Sequence, residues 1–204
     1  MKTQTQRQFI KKIENILFFF FKKRNWQYLF SYFYNVQAIN DFLKKHQNKR
    51  IFITYSMPFD VPLYQRPQHL AVQLSQTGSA FVYTELKNSK SRLVNENLLL
   101  ADFNLVNKVC IKNNIKPYLF VVSVSPHKLK DLIKLKNVGY RIIYEYIDEF
   151  SEEIHNTKNG LEIFNNLERL DPVLCIATSK KLYNHLLTKF PKEKLLLNPN
   201  AANV

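Results

Sequence analysis

Short apolar runs recur along the chain from residue 49 onward, and helical patterns with one apolar face separate them. A strand that is apolar at consecutive positions, rather than at alternate ones, is typical of a parallel sheet covered on both faces. The sequence therefore predicts an α/β fold with a doubly wound parallel sheet. The predicted strands are residues 51–56, 80–84, 98–103, 107–111, 118–124, 141–147, 173–178 and 194–198, and the predicted helices are residues 67–77, 126–136, 160–170 and 179–190.

The length of 204 residues suits one Rossmann-like domain, predicted over residues 49–204, with an appended segment at residues 1–48. Hydrophobic residues make up 46% of the chain, enough for a sizeable core. Cys110 and Cys175 each lie within an apolar run and have no metal-binding or redox spacing. We expect both to be reduced core residues, as in a cytoplasmic protein.

The positive charge is concentrated at the N-terminus. Residues 1–50 contain 11 Lys and Arg against two acids, which gives +9 of the total net charge of +14. The predicted domain therefore lacks the strongly basic character of a nucleic-acid groove, and no nucleic-acid-binding motif is present. We expect no nucleic-acid partner.

The segment 1–48 is predicted to form one bent amphipathic helix or two helices, with aromatic residues on one face and lysine and arginine around it. Its longest unbroken apolar run has six residues, too few to cross a bilayer, and no signal-peptide cleavage site follows. Such a helix can lie on an anionic membrane surface, which would make the protein peripheral on the cytoplasmic face of the cell membrane. Alternatively, its apolar face packs on the domain or on a partner subunit. The residues predicted to contact a membrane are Phe18, Phe19, Phe20, Phe21, Lys22, Lys23, Arg24 and Trp26.

The first predicted strand leads into MPFDVPLYQRPQHLAVQLSQTG, a loop and helix with no glycine before Gly78. Pro67 is expected at the first helical position, and Arg66 at the N-cap beyond the carboxyl end of the strand. Ligands bind at that edge of open α/β sheets, and a guanidinium beside a helix N-terminus favours a phosphate or carboxylate. The alternative is that Arg66 pairs with a nearby acid such as Asp60 and holds the loop.

A second candidate site follows the predicted strand 141–147, in YIDEFSEEI. Asp148, Glu149 and Glu152 could act as a general base or bind sugar hydroxyls, or they could cap the next helix or face solvent. His69 and His155 are weaker candidates, each a lone histidine near a helix start. No residues have metal-ligand spacing, so no metal or other cofactor is predicted.

Near the C-terminus, Ser179 is expected to cap the helix after VLCIAT, and the last strand leads into NPNAANV. A turn of this kind directly after a buried strand is typical of a junction with a further domain.

Together these segments resemble the N-terminal half of bacterial glycosyltransferases of the GT-B type, close to the group that assembles capsule, exopolysaccharide or teichoic-type polymers. The resemblance is carried by four segments in order over residues 50–204, namely IFITYSMPFDVPLYQRPQHLAVQLSQTG, RIIYEYIDEFSEE, LCIATSKKLYNHL and LLNPNAANV.

The resemblance implies a two-domain enzyme that transfers a sugar from a nucleotide-sugar, without a metal, to a glycan or lipid-linked acceptor. This chain would be the acceptor-side domain of such an enzyme, with Asp148 and Glu149 as catalytic residues. Asp60, Arg66, His69 and Asn200 would bind substrate. The residues that hold the donor in such enzymes would belong to a second domain, so we expect this chain alone to be inactive. The rival interpretation is a non-catalytic membrane-docking or scaffold module derived from such a transferase.

Overall fold

The computed structural model describes residues 23–85, 90–124, 126–150 and 157–199. Within these ranges eight strands form one sheet in the order β3-β4-β2-β1-β5-β6-β7-β8, and every pairing except that of β3 with β4 is parallel. The predicted doubly wound α/β fold is confirmed. The strands are β1 Ile51–Ser56, β2 Ala80–Glu85, β3 Arg92–Asn95, β4 Leu98–Asp102, β5 Tyr118–Val122, β6 Arg141–Tyr146, β7 Leu174–Ala177 and β8 Leu195–Leu197.

Helices connect most of the parallel strands and cover the sheet on both faces, while the described chain between the parallel strands β2 and β4 passes through β3. The larger apolar cluster joins one face of the sheet to α1, α3, α4, α5, α6 and α7, while the smaller one packs α2 on the other face. The helices are α1 Lys23–Lys45, α2 Arg66–Gln76, α3 Phe103–Lys112, α4 Leu129–Asn137, α5 Thr157–Asn165, α6 Leu167–Leu170 and α7 Lys180–Leu187, and a 3-10 turn spans Lys192–Lys194.

The helix α2 begins one residue earlier than predicted. Gln65 is the N-cap, Arg66 is the first helical residue and Pro67 the second, so the expected N-cap position of Arg66 is wrong. The side chain of Gln68 accepts a hydrogen bond from Gln65 N at 3.2 Å, which satisfies a backbone donor outside the helix. The helix ends as expected, with Gly78 at a φ of +85°.

The segment predicted as a strand at residues 107–111 is instead part of α3. Asp102 caps this helix by accepting a hydrogen bond from Leu105 N at 3.0 Å, and Val106, Val109 and Cys110 turn inward at helical spacing. The fold requires a helix here, because the parallel strands β4 and β5 cannot be joined by a tight turn. In contrast, the edge strand β3 was not predicted, since all four of its residues are exposed and give no burial pattern.

The two ends of α1 have different environments. Towards the C-terminal end, Ile39, Phe42 and Leu43 are buried in the larger cluster, and each contributes roughly 1.5–3 kcal/mol through burial. Towards the other end, Trp26 and Phe30 are exposed. The sequence left two interpretations of the apolar face, membrane docking and packing on the domain or a partner subunit. The last turns of α1 pack on the domain.

A buried histidine fastens the end of α1 to the sheet. His46 is fully buried; its Nδ1 donates to Phe42 O at 2.8 Å, and its Nε2 lies 3.1 Å from Asn97 Oδ1. Lys49 Nζ donates to the same oxygen at 3.1 Å, while Asn97 Nδ2 donates to Ser75 O at 3.1 Å. One amide thus joins the chain after α1, the β3–β4 turn and the end of α2.

Both cysteines, Cys110 and Cys175, are free and buried, as predicted for core residues. Burial raises the pKa of the Cys110 thiol to about 11 and that of Cys175 to about 12. None of the helices within the described ranges combines the length and the apolarity needed to cross a bilayer.

Replacing Asn97 with alanine tests the contribution of this amide. We expect Asn97→Ala to lower the free energy of unfolding by about 2–4 kcal/mol, because it leaves buried polar groups of His46 and Ser75 without their partner. Urea denaturation followed by far-ultraviolet circular dichroism measures the loss. Asn113→Ala is the control, since Asn113 is exposed and the loss of the bonds from its Nδ2 to Asn40 of α1 and to Val109 O should cost about 1 kcal/mol or less. Equal losses in the two variants would contradict the role given to Asn97.

Candidate functional site

A small cleft opens at the carboxyl edge of the sheet, where β1, β5 and β6 end side by side. Its volume is about 330 Å³. The chain builds the sheet outward from β1 through β2 and β4 and then crosses to the other side of β1 to form β5, and the cleft lies at this change of direction. Ligands of open α/β sheets bind at such a switch point. The lining residues are Tyr55, Ser56, Met57, Gln65, Arg66, Pro67, Val122, Val124, Pro126, Ile147 and Asp148.

The loop between β1 and α2 forms one wall of the cleft, and the protein holds it at several points. Phe59 is buried against the ring of Tyr83, and Phe59 N donates to Glu85 Oε1 at 3.0 Å. Burial raises the pKa of Tyr83 to about 12, so its hydroxyl keeps the proton and donates to Met57 O at 2.9 Å. Gln68 Nε2 donates to Pro58 O at 3.0 Å. The wall is therefore fixed by its own contacts and prolines, with no glycine in the loop.

Arg66 lines the cleft and also pairs with an acid that the sequence analysis did not single out. Its Nε and Nη2 each lie 3.2 Å from Glu145 Oε1, and the side chains of Arg66 and Glu145 are only 19% and 2% exposed. Burial raises the pKa of Glu145, and the Arg66 guanidinium opposes that rise. Arg66 thus pairs with an acid, as the alternative interpretation held, but the acid is Glu145 on β6 and not Asp60.

Asp148 follows β6 and lines the cleft together with Arg66. The side chain is exposed, so the carboxylate is accessible to a ligand. A carboxylate and a guanidinium on the walls of one cleft can hold a hydroxyl group and an anionic group of the same ligand. Ser56 and Gln65 add further hydrogen-bonding side chains, while Val122, Val124 and Ile147 supply apolar surface.

Other predicted site residues lie outside this lining. Asp60 is exposed and forms an ion pair with Arg92, which joins the loop to β3. His69 is exposed on α2, with its ring centroid 5.8 Å from that of Tyr64. Glu149 lies 2.6 Å from Lys181 Nζ at the start of α7. Of the described site residues, the structure therefore brings together Arg66 and Asp148.

Several predictions concern positions outside the described residues. These are Glu152, His155 and Asn200, and the membrane residues Phe18, Phe19, Phe20, Phe21 and Lys22, together with the side chains of Lys23 and Arg24. Trp26 is described and is 47% exposed. The predicted cap at Ser179 is confirmed, because its hydroxyl accepts from Leu182 N at 3.3 Å.

Glu145 was missed, although the sequence carries a signal for it. It is the one charged residue inside the run IIYEYI, and an acid in a buried strand is rarely stable unless it is paired. Tyr55 and Ser56 were also missed as lining residues. They occupy the last two positions of β1, where side chains reach the carboxyl edge of the sheet.

Within the four described ranges, no three His, Cys, Asp or Glu side chains lie close enough together to hold a metal ion. Comparison with known proteins gives no match: no family model fits the chain, and neither a curated protein nor a solved structure is significantly similar to it.

Replacing Arg66 with methionine tests the buried pair. We expect Arg66→Met to lower the free energy of unfolding by about 3–5 kcal/mol at neutral pH, because Glu145 then lacks its partner cation. The double variant Arg66→Met with Glu145→Gln should lose less free energy of unfolding than Arg66→Met alone, because no unpaired carboxylate is then buried. Arg92→Met is the matched control, since its pair with Asp60 is exposed and should contribute about 1 kcal/mol or less.

The pH dependence gives a second measurement on the same variants. The folded-state pKa of Glu145 is raised above its unfolded value, so the folded protein binds more protons between these two pKa values, and stability falls as the pH rises through that window. Removing Arg66 raises the folded pKa further and widens the window. Relative to the unmodified chain, Arg66→Met should therefore lose less free energy of unfolding at acidic than at neutral pH. Adding Glu145→Gln to this variant should remove the difference between the two pH values. A loss independent of pH would contradict the pairing.

Proposed function

We propose that the chain is the acceptor-side domain of a glycosyltransferase that moves a sugar from a nucleotide-sugar to a glycan or lipid-linked acceptor. The observation that supports this best is the placement of Arg66 and Asp148 on one cleft at the switch point of the sheet. The four motifs quoted above support the same assignment.

In this proposal the two residues have separate roles. Asp148 accepts a hydrogen bond from the attacking acceptor hydroxyl and acts as its general base. Arg66 faces the diphosphate of the donor across the cleft. Its guanidinium is positioned by the ion pair with Glu145, and its backbone is fixed as the first residue of α2. The donor itself is bound by a second domain, in the same polypeptide or in a partner.

A glycine-rich phosphate loop is not needed on this side of such a cleft. The loop between β1 and α2 is instead fixed through Phe59 and through the hydrogen bonds to Met57 O and Pro58 O. A rigid wall holds the guanidinium in one position, which favours transition-state stabilisation over loose substrate binding.

A transfer assay with conservative variants tests these roles. The chain is combined with a donor-binding domain, and transfer of labelled sugar from the nucleotide-sugar is measured. We expect Asp148→Asn and Arg66→Lys each to reduce kcat by about tenfold or more, because each removes a group that acts on the reacting atoms. Glu162→Gln, the same type of change at an exposed acid on α5, should leave the rate unchanged. Full activity of both cleft variants would remove Asp148 and Arg66 from the reacting site, whereas no transfer by the unmodified chain with its donor domain would favour the non-catalytic module.

We further propose that the exposed end of α1 binds an anionic membrane surface. Trp26, Phe30 and Phe33 recur at spacings of four and three residues and are 47%, 68% and 61% exposed. At 100° per residue, this stripe lies on the opposite side of the helix from Ile39 and Phe42, which are buried in the domain. The domain can therefore stay folded while the stripe enters the lipid interface.

The only tryptophan of the chain lies on this stripe, so its fluorescence reports binding directly. We expect the emission of Trp26 to shift to shorter wavelength with vesicles containing phosphatidylglycerol and not with pure phosphatidylcholine, and added salt should weaken the shift. Replacing Phe30 and Phe33 with serine should reduce the affinity by about tenfold or more, since both lose apolar burial.

The control for these variants is replacement of Leu161 and Leu187 with serine, because both are exposed apolar residues on other helices. This change should leave binding unaltered. Equal binding by the two double variants, or equal shifts with both lipids, would contradict membrane docking through α1.

A further inference from the structure

A second and larger cavity adjoins the cleft on the other side of Tyr55. It is a groove of about 650 Å³ between α3 and α4, and it shares Tyr55 and Pro126 with the cleft. Its volume is within the range of cavities that bind small molecules. None of the roles given above to Arg66 or Asp148 uses this groove.

Three aromatic rings form one wall of the groove. The rings of Tyr55 and Phe103 are stacked with their centroids 4.7 Å apart, and the ring of His127 lies 5.0 Å from each. Burial lowers the pKa of His127 to about 4, although the Asp131 carboxylate opposes this shift, so the ring is neutral at physiological pH. Burial also raises the pKa of Tyr55, with a smaller contribution from Asp102. The wall is therefore uncharged, with an apolar surface and polar edges.

Polar side chains face each other across the rest of the groove. Asn104 and Asn107 come from α3, and Lys128 and Lys130 come from the start of α4. The hydroxyl of Tyr140 donates to Asn107 Oδ1 at 2.7 Å, so this oxygen is already engaged. Amides and ammonium groups of this kind can donate to several hydroxyl groups of one ligand.

The carboxylates of the groove have partners within the protein. Asp102 caps α3, Glu85 accepts from Phe59 N, and Asp131 lies 3.2 Å from Lys134 Nζ. Among the lining residues, three lysines face three acids, so the groove has no net charge. The groove as a whole therefore gives a phosphate no net electrostatic attraction, whereas an uncharged ligand with many hydroxyl groups finds donors, acceptors and an apolar wall.

We propose that this groove binds one or two neutral sugar rings of the acceptor glycan. The inference rests on the proposed acceptor-side function and assigns the acceptor to a place that the sequence did not indicate. An apolar face of a sugar ring packs on the partly exposed rings of Tyr55 and Phe103, which the buried ring of His127 supports. The hydroxyls of the sugar bond to Asn104, Lys128 and Lys130. The glycan then extends past Tyr55, so that its terminal hydroxyl reaches the cleft beside Asp148.

Saturation-transfer-difference NMR on the chain alone tests the inference. The probes are methyl glycosides of glucose, galactose, N-acetylglucosamine and rhamnose, and a glycosyl phosphate as the charged counterpart. We expect at least one neutral glycoside to bind, and no gain in affinity for the phosphate. Asn104→Trp, which fills the groove from an exposed position on α3, should weaken binding by about tenfold or more.

Asn137→Trp is the matched control, because Asn137 is exposed at the end of α4 and does not line the groove. It should bind as the unmodified chain does, and circular dichroism should show both variants folded. Binding that Asn104→Trp leaves unchanged would overturn the groove as the site and leave the transferase proposal intact. Tighter binding of the phosphate would overturn the neutral ligand class. If no glycoside binds at all, the groove is overturned as a sugar site, while the acceptor-side function is still decided by the transfer assay of Asp148→Asn and Arg66→Lys.

Discussion

The ion pair between Arg66 and Glu145 joins the two halves of the sheet at the point where its winding reverses. Arg66 begins the helix after β1, whereas Glu145 lies on β6, two strands away across β5. Burying either charge alone would be costly, so each group requires the other. The pair therefore fixes the start of α2 relative to β6, and the cleft between them keeps its shape because of it. Asp148, only three residues after Glu145, receives its position from the same strand.

The cleft wall achieves rigidity without glycine. Prolines stiffen the loop after β1, and buried contacts from Phe59, Tyr83 and Gln68 fasten its backbone. Phosphate loops need glycine because backbone amides must approach the ligand closely. Here the charge that faces the cleft belongs to the side chain of Arg66. The backbone does not need the conformational freedom of glycine, and a rigid loop keeps the guanidinium in position. This is consistent with an acceptor-side role, in which the donor phosphates are bound mainly elsewhere.

The helix α1 links the domain to the surface proposed for membrane binding. Its C-terminal turns are part of the core, and the amide of Asn97 ties the following residues to the sheet and to α2. Its other end exposes aromatic rings on the side away from those contacts. Docking through this end would hold the folded domain at the lipid surface. A lipid-linked acceptor would then need little freedom to reach the groove and the cleft.

Local patterns alone predicted much of this fold. The apolar strands β1, β2, β5, β6 and β7 are continuous runs that cannot remain exposed. The end of α2 at Gly78 follows from backbone chemistry, and the proline at its start places the helix to within one residue. The errors lie where local patterns are ambiguous. Val109, Cys110 and Ile111 form a continuous apolar run like that of a buried strand, yet the crossover from β4 to β5 requires a helix, which forms one side of the groove. The sequence by itself determined the doubly wound sheet and placed Arg66 and Asp148 at its carboxyl edge, because both depend on neighbours along the chain. Only the tertiary structure decided that Arg66 pairs with Glu145 and that Tyr55, Phe103 and His127 form one wall, because those contacts join residues far apart in sequence.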